Sequence, residues 1–151
     1  MYHNIGKYHE THGKYDDALE LYMKSIEIDS KLEDPNSKSL AVPYSNVAKI
    51  YKIKGQKENA LKYYEKSQKI CESSFETNHP FFITLYNNIG SMHHHLGDLQ
   101  QALEYYDKAH EIALKRDHPD IWAVYNNIGK VHFARREYDE ALEYYQKGLD
   151  A

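Results

Sequence analysis

The chain has 151 residues, of which 41% are hydrophobic and 28% are charged, and its formal net charge is -4. This composition is ordinary for a soluble protein, and the length suits one domain. The apolar runs are far shorter than the ~20 residues that a membrane span needs, and the mild acidity argues against a nucleic-acid partner. The single cysteine, Cys71, excludes an internal disulfide and favours a reducing compartment. We therefore expect a cytoplasmic protein that binds neither membrane nor nucleic acid.

One pattern of aromatic, asparagine, glycine and alanine residues recurs along the whole sequence. It is clearest where Leu-Tyr-Asn-Asn-Ile-Gly ends at Gly90 and is followed by Gly97 and by Ala-Leu-Glu-Tyr-Tyr. The Ala-Leu-x-x-Tyr part begins at Ala18, Ala60, Ala102 and Ala141, so the copies are 42, 42 and 39 residues apart. A fixed period of this size is typical of a solenoid made of identical supersecondary units.

In chain order, the first repeat predicts a helix over residues 1–12, a break at Gly13 and a second helix from 14 to about 32. Residues 34–37 read as a turn. The second repeat carries Pro43 where the other repeats are already helical. Proline lacks the backbone N–H and clashes with the preceding turn. The helix therefore either begins near Val42 or is kinked, and its partner helix runs from 56 to about 75.

The third repeat is the most regular. Pro80 suits the first turn of its first helix, and Asp98 is expected to cap the second helix. The fourth repeat turns near Arg136, and its second helix stops at the end of the chain. We predict an all-α domain over residues 1–151 with four antiparallel helix pairs, at about 1–35, 36–77, 78–116 and 117–151. The abrupt start of the first helix predicts that the domain belongs to a longer array.

Small residues and tyrosines occupy fixed positions in these helix pairs. Glycine or alanine at four equivalent first-helix positions predicts a close approach to the alanines that open each second helix. The tyrosines are expected to fill the wider gaps, each burying roughly 150–250 Å² with its hydroxyl at a wet edge. One pair cannot bury both faces, so stability must come from stacking of the repeats.

The order aromatic, Ile-Gly, Tyr or His, Gly, Ala, Tyr closely resembles the tetratricopeptide repeat. The 42-residue period and the His-Pro pairs that begin at His79 and His118 are most similar to the kinesin-light-chain type. The resemblance covers essentially the whole chain, with departures at Ala48, Arg136 and Pro43. It implies a right-handed α-solenoid, or superhelix, whose first helices line a concave groove. It also implies a scaffold or adaptor that binds a protein or peptide and has neither a cofactor nor catalytic activity.

Matching of motif positions assigns thirteen residues to the peptide-binding groove. They are Asn4, Lys7, Asn46, Lys49, Lys52, Asn87, Asn88, Ser91, His94, His95, Asn126, Asn127 and Lys130. The same helix faces would present His3, Glu10, Ser45 and Phe133. The resemblance does not extend in full to the lysine-asparagine clamp of chaperone-binding domains, because His3, Ser45 and Asn87 stand where such clamps use other residues.

Two features of this groove have alternative interpretations. Asn4, Asn46, Asn88 and Asn127 form a column that could hold an extended peptide backbone, since asparagine both donates and accepts hydrogen bonds. They could instead bond to their own helices. The groove positions include four lysines and one glutamate, which favours an acidic peptide, whereas the exposed acidic residues are expected on the second helices. The alternative is an ordinary solvated face.

The histidines and the cysteine do not predict a reactive site. The run His93-His94-His95 points in three directions on a helix and cannot hold one ion. His9, His93 and His132 share a register with Tyr51 and are expected to pack. Cys71 has no partner in the pattern, so neither a metal site nor a nucleophile is predicted. The alternative to peptide binding is self-association end to end through the terminal helices, where Leu142, Tyr145 and Leu149 would lie uncovered.

Overall fold

The computed structural model describes residues 1–32, 34 and 37–151, and this part of the chain contains eight α-helices and no strand. The predicted all-α architecture is confirmed. The helices are α1 (Tyr2–Thr11), α2 (Tyr15–Leu32), α3 (Ala41–Ile53), α4 (Lys57–Ser74), α5 (Phe81–Leu96), α6 (Leu99–Lys115), α7 (Ile121–Ala134) and α8 (Tyr138–Asp150), with a short 3-10 helix (Lys38–Leu40) before α3. In the predicted turn at 34–37, Pro35 and Asn36 lie outside the described residues.

The chain divides into two compact units, Met1–Glu76 and Thr77–Ala151. In unit 1, α1 pairs with α2, α3 pairs with α4, and α2 packs against α3. In unit 2, α5 pairs with α6, α7 pairs with α8, and α6 packs against α7. Each unit is therefore two stacked helix pairs, in which the second helix of one pair covers the first helix of the next.

Pro43 lies in the first turn of α3, which begins at Ala41 directly after the 3-10 helix. The helix thus begins close to Val42, the first of the two predicted alternatives. The missing N–H of proline costs little here, because the first four N–H groups of a helix have no partner within the helix. In the third repeat Pro80 is the N-cap that precedes α5, one position earlier than the predicted first turn.

The turn inside each helix pair has the same hydrogen-bonded geometry in all four repeats. The residue after α5 is Gly97, whose φ of 85° is left-handed, and the N–H of Asp98 donates to the carbonyl of His93 at 2.9 Å. These are the features of a Schellman motif, which favours glycine. Arg136 adopts the same conformation with φ 65°, so the predicted turn forms without glycine. Asp98 also caps α6, as predicted, by accepting from the N–H of Gln101 at 3.3 Å.

In the three pairs that have glycine at this position, the close approach is made against a tyrosine ring rather than against the alanine alone. A Cβ added to Gly90 would lie 2.7 Å from Cε1 of Tyr106, and one added to Gly6 would lie 2.9 Å from the ring of Tyr22. The prediction named Ala102 and Ala18 as the receiving residues, and both are buried. The tyrosine one turn after each alanine contacts the glycine instead, because its side chain leans back toward the start of its own helix.

Not all of these tyrosine hydroxyls reach a wet edge. Tyr22, which is fully buried, donates to Oε2 of Glu10 at 2.8 Å. The hydroxyl of Tyr64 is buried, and no described residue gives it a hydrogen-bond partner. The prediction of solvated hydroxyls is therefore wrong for Tyr64, because its ring lies too deep in the pair for its oxygen to reach water.

Candidate functional site

All thirteen predicted groove residues lie on the first helices of their pairs, namely α1, α3, α5 and α7. In unit 1 the faces of α1 and α3 meet through Glu10 and Lys49, which form an ion pair across 39 positions of sequence. In unit 2 the faces of α5 and α7 meet through Asn87 and Asn127, where Nδ2 of Asn127 donates to Oδ1 of Asn87 at 3.1 Å. Each unit thus presents a first-helix face, defined here as its groove residues on α1 and α3 or on α5 and α7.

Glu10 is the best-anchored residue of the first-helix face of unit 1. Its side chain is only 12% exposed, and it accepts hydrogen bonds from the Tyr22 hydroxyl on α2 and from Nζ of Lys49 on α3. Burial alone would raise the pKa of this carboxyl, but the hydrogen bonds from Lys49 and Tyr22 outweigh burial and hold the pKa below its ordinary value. Glu10 therefore stays ionised and offsets the charge of Lys49.

The remaining groove residues of unit 1 differ in exposure. Asn4 and Lys7 are exposed, Asn46 and Lys52 are half-buried, and Ser45 is buried. The more exposed side chains of this face are therefore amides and lysines. The predicted surplus of lysine is present here, although Glu10 cancels part of it.

The first-helix face of unit 2 carries fewer charges. Nζ of Lys130 donates to Oδ1 of Asn127 at 3.3 Å, so Asn127 links the lysine to Asn87. Asn88 is half-buried on α5. The side chain of Asn126 lies against α8, where its Cγ is 3.6 Å from the position of a Cβ on Gly148. The amide and lysine groups of this face are therefore Asn87, Asn88, Asn127 and Lys130, whereas Asn126 is turned toward its own helix pair.

The two histidines of this face have different surroundings. Burial, followed by the neighbouring His95 and Lys130, lowers the pKa of His94, which favours the neutral form of its ring. His95 is exposed, and its Nδ1–H donates to the carbonyl of Ser91 at 2.6 Å.

Two of the three histidines that share a register with Tyr51 pack as predicted, because His93 stacks on Tyr105 and His132 stacks on Tyr144. Their ring centroids are 5.5 Å and 5.3 Å apart, and the planes differ by 9° and 7°. Tyr51 stacks on Tyr63 in the same way. His9 has no tyrosine at the equivalent second-helix position, where Leu21 stands.

A lysine lies over each of these second-helix tyrosines, at 4.7 to 4.9 Å from the ring centroid. The three lysines are Lys66, Lys108 and Lys147. This repeated cation–π contact was not predicted from the sequence. The signal was present, since a lysine follows each Tyr-Tyr pair at a constant distance.

The structure also describes the surroundings of the possible metal ligands and of Cys71. Within residues 1–32, 34 and 37–151, no group of three His, Cys, Asp or Glu side chains is placed to hold a metal ion. Cys71 is fully buried on α4, and burial raises the pKa of its thiol to about 11. A buried thiol with so high a pKa is a poor nucleophile. In the same part of the chain, no helix has the length and apolarity to cross a membrane.

The fold and the site define a repeat protein of stacked α-helix pairs with polar first-helix faces. A family model described as the tetratricopeptide repeat matches residues 1–80 and 81–151, so the chain belongs to the tetratricopeptide repeat family. The repeat is a protein-interaction scaffold. Comparison with curated protein sequences finds no match.

Solved structures share this fold. A Podosopora anserina protein described as a kinesin light chain with nearly identical TPR-like repeats has a TM-score of 0.85 at 20% identity, over 99% of this chain and 72% of that one. BtubC (BKLC) from P. vanneervenii also has a TM-score of 0.85, at 23% identity over 96% and 58% of the two chains. MamA gives 0.75 at 20% identity over 99% and 75%. At these identities the likeness shows the fold, which is of the kinesin-light-chain-like type.

Proposed function

We propose that the chain is a scaffold or adaptor module that binds an extended, acidic peptide of a partner protein on its first-helix faces. The observation that carries this proposal is the meeting of groove residues from successive repeats, through Glu10 and Lys49 in unit 1 and through Asn87 and Asn127 in unit 2. In unit 2 the contact brings amides and a lysine together, because Lys130 also donates to Asn127. An extended backbone offers N–H and C=O groups that amides can bind. The single cysteine makes the cytoplasm our proposed location.

Charge supports the choice of an acidic ligand. The groove lysines Lys7 and Lys130 are exposed on α1 and α7, and the hydrogen-bond acceptor of Lys130 is a neutral amide oxygen. The second helices carry the acidic residues, for example Asp16, Glu20, Glu104, Asp107, Asp139 and Glu143, and all of these are exposed. Acidic residues outnumber lysines on α2, α6 and α8, whereas α4 carries four lysines and three glutamates. An acidic peptide would therefore be repelled from α2, α6 and α8 and attracted to the first-helix faces.

The binding test compares an amide contact with a charge contact in unit 2. Asn88→Ala should weaken acidic and neutral peptides alike by about 1 kcal/mol, the usual worth of a neutral hydrogen bond. Lys130→Ala should weaken only the acidic peptide, and the loss should shrink as salt screens the charge. Fluorescence titration of a labelled Glu-Ser peptide and its Gln-Ser counterpart, at low and high salt, measures both effects.

Lys115→Ala is the matched control, because Lys115 lies on the second helix α6 and pairs there with Glu111. This variant should bind both peptides like the parent. If Asn88→Ala and Lys130→Ala also bind like the parent, the peptide does not use the first-helix face of unit 2.

A second candidate function is self-association, and the exposure of α1 and α8 favours it. Ile5 and Tyr8 on α1 are 40% and 59% exposed. At the equivalent positions of the other three repeats, all six apolar side chains are at most 2% exposed. On α8, Leu142 is 68% exposed beside an apolar cavity of about 270 Å³. We propose that α1 of a second copy covers α8, as α7 covers α6.

Leu142→Glu should therefore weaken self-association at least tenfold, because it places a charge in the proposed contact. Leu114→Glu is the control, since Leu114 is a similarly exposed leucine near the end of α6. Sedimentation velocity across a concentration series measures the association. A parent protein that stays monomeric at the highest concentration would remove this candidate without affecting peptide binding.

A further inference from the structure

Glu10 is bound by its neighbours in the way that a ligand carboxylate would be. Its Oε2 accepts from the Tyr22 hydroxyl at 2.8 Å, and its Oε1 accepts from Nζ of Lys49. The two donors come from α2 and α3, whereas Glu10 belongs to α1. Donors to both oxygens give geometric specificity for a carboxylate. The structure thus holds a preformed carboxylate receptor at the first-helix face of unit 1.

We propose that Tyr22 and Lys49 form a carboxylate-binding subsite that Glu10 fills in the free protein. An acidic side chain of the peptide ligand displaces Glu10 and takes its place. This inference rests on the proposed peptide binding. It makes Glu10 an internal competitor, so the protein binds acidic peptides more weakly than its lysines alone would allow.

Comparison with the ion pairs that lie inside single second helices sets Glu10 apart. Pairs such as Lys24 with Glu20 and Lys147 with Glu143 join neighbouring turns of one second helix, and both partners are largely exposed. Such exposed pairs contribute little to stability. Glu10 is instead largely buried and contacts two other helices.

The register shows that the repeat itself does not require a carboxylate at this place. The positions equivalent to Glu10 are occupied by Lys52, His94 and Phe133, and α3, α5 and α7 form around them all the same. Glu10 is also the penultimate residue of α1, so its side chain can swing toward solvent without disrupting the helix. Lys7, one turn earlier on α1, adds attraction for an incoming carboxylate.

The first test removes the charge of Glu10 and keeps its shape. Glu10→Gln should bind the labelled Glu-Ser peptide about three- to tenfold more tightly than the parent at low salt, because Lys49 no longer has an ionic partner. The gain should shrink at high salt, as charge screening requires, and should be absent with the Gln-Ser peptide. Glu20→Gln is the control, since Glu20 pairs with Lys24 on α2, and it should bind like the parent.

The second test probes the subsite without any peptide. Glu10→Ala leaves Tyr22 and Lys49 in place without their carboxylate, and sodium acetate should then raise the Tm saturably, by about 2–4 °C over sodium chloride of the same ionic strength. The parent and Glu20→Ala should show no such difference between the two salts. Glu10→Gln carries the peptide test even if Glu10→Ala folds poorly.

If acetate does not raise the Tm of folded Glu10→Ala, the proposal that Tyr22 and Lys49 form a carboxylate-binding subsite is wrong. If Glu10→Gln binds the Glu-Ser peptide with the same affinity as the parent, the proposal that the peptide displaces Glu10 is wrong. If acetate stabilises Glu10→Ala while no peptide binds any variant, the subsite stands and the proposed peptide-binding function fails. If the parent binds peptide in an Asn88-dependent way without either response, the function stands and the inference about Glu10 fails.

Discussion

Replacement of Gly90 by valine is expected to lower the free energy of unfolding by about 3 kcal/mol, near the upper end of the range for an overpacked core. An added Cβ would lie 2.7 Å and 2.8 Å from ring atoms of Tyr106, and the two further methyl groups of valine increase the conflict. The Tyr106 ring is buried between α5 and its neighbours in unit 2, so it cannot turn away. The helix propensity of valine exceeds that of glycine by only a few tenths of a kcal/mol.

Gly129 provides a matched control inside the same unit. Its added Cβ would also lie 2.7 Å from a tyrosine ring, that of Tyr145 on α8. Tyr145 is half-buried and can rotate toward the uncovered side of α8, so Gly129→Val should cost about 1 kcal/mol. Urea unfolding followed by far-ultraviolet circular dichroism measures both variants. Equal losses would contradict the claim that the burial of Tyr106 decides the cost.

Much of the fold was predictable because the repeat constrains each element several times over. The 42-residue period fixed the helix pairs, and local chemistry placed individual residues. Asp98 caps α6 as its side-chain chemistry requires, and Pro43 is accommodated in the first turn of α3. The turn at Arg136 was predicted from the position of this residue in the repeat, although an arginine is unfavourable in the left-handed conformation.

Packing inside a pair was less accessible from sequence. Small residues at Gly90 and its equivalents indicate a close approach but do not identify the atoms they approach. The ring of Tyr106 takes that place because of the direction in which helical side chains lean. The buried hydroxyl of Tyr64 was missed for a related reason, since depth within a pair depends on crossing geometry that sequence spacing does not contain.

The candidate site was likewise predictable only in part. The register correctly put the groove residues on first helices, but it could not reveal pairings between neighbouring repeats. Glu10 was counted as one charge among five, whereas its burial and its bond to Lys49 make it a fixed part of the surface. Asn126 shares its register with Asn87, yet it turns toward α8 because Gly148 leaves room there. Contacts between side chains 39 or 40 positions apart can be identified only once the folded backbone is known.

Tyr22→Phe and Tyr64→Phe are expected to change stability in opposite directions, although both remove one hydroxyl from the same register. Tyr22→Phe removes a hydrogen bond to the ionised Glu10 and should cost about 2 kcal/mol, in the range for bonds to charged groups. Tyr64→Phe removes a buried hydroxyl that has no partner among the described residues, and it should raise the free energy of unfolding by about 1 kcal/mol. Urea unfolding at pH 7 measures both changes.

The effect of Tyr22→Phe should also depend on pH, with a sign set by Glu10. The pKa of Glu10 is held below its ordinary value in the folded protein. Its ionic contacts therefore stabilise the fold fully above the unfolded pKa of ~4.3, and this contribution is lost as the pH falls through the lowered folded value. The loss caused by Tyr22→Phe should shrink over that acidic range, whereas the gain from Tyr64→Phe should stay constant. A loss in both variants, unchanged by acid, would show that the hydroxyl of Tyr64 is satisfied and that Glu10 does not depend on Tyr22.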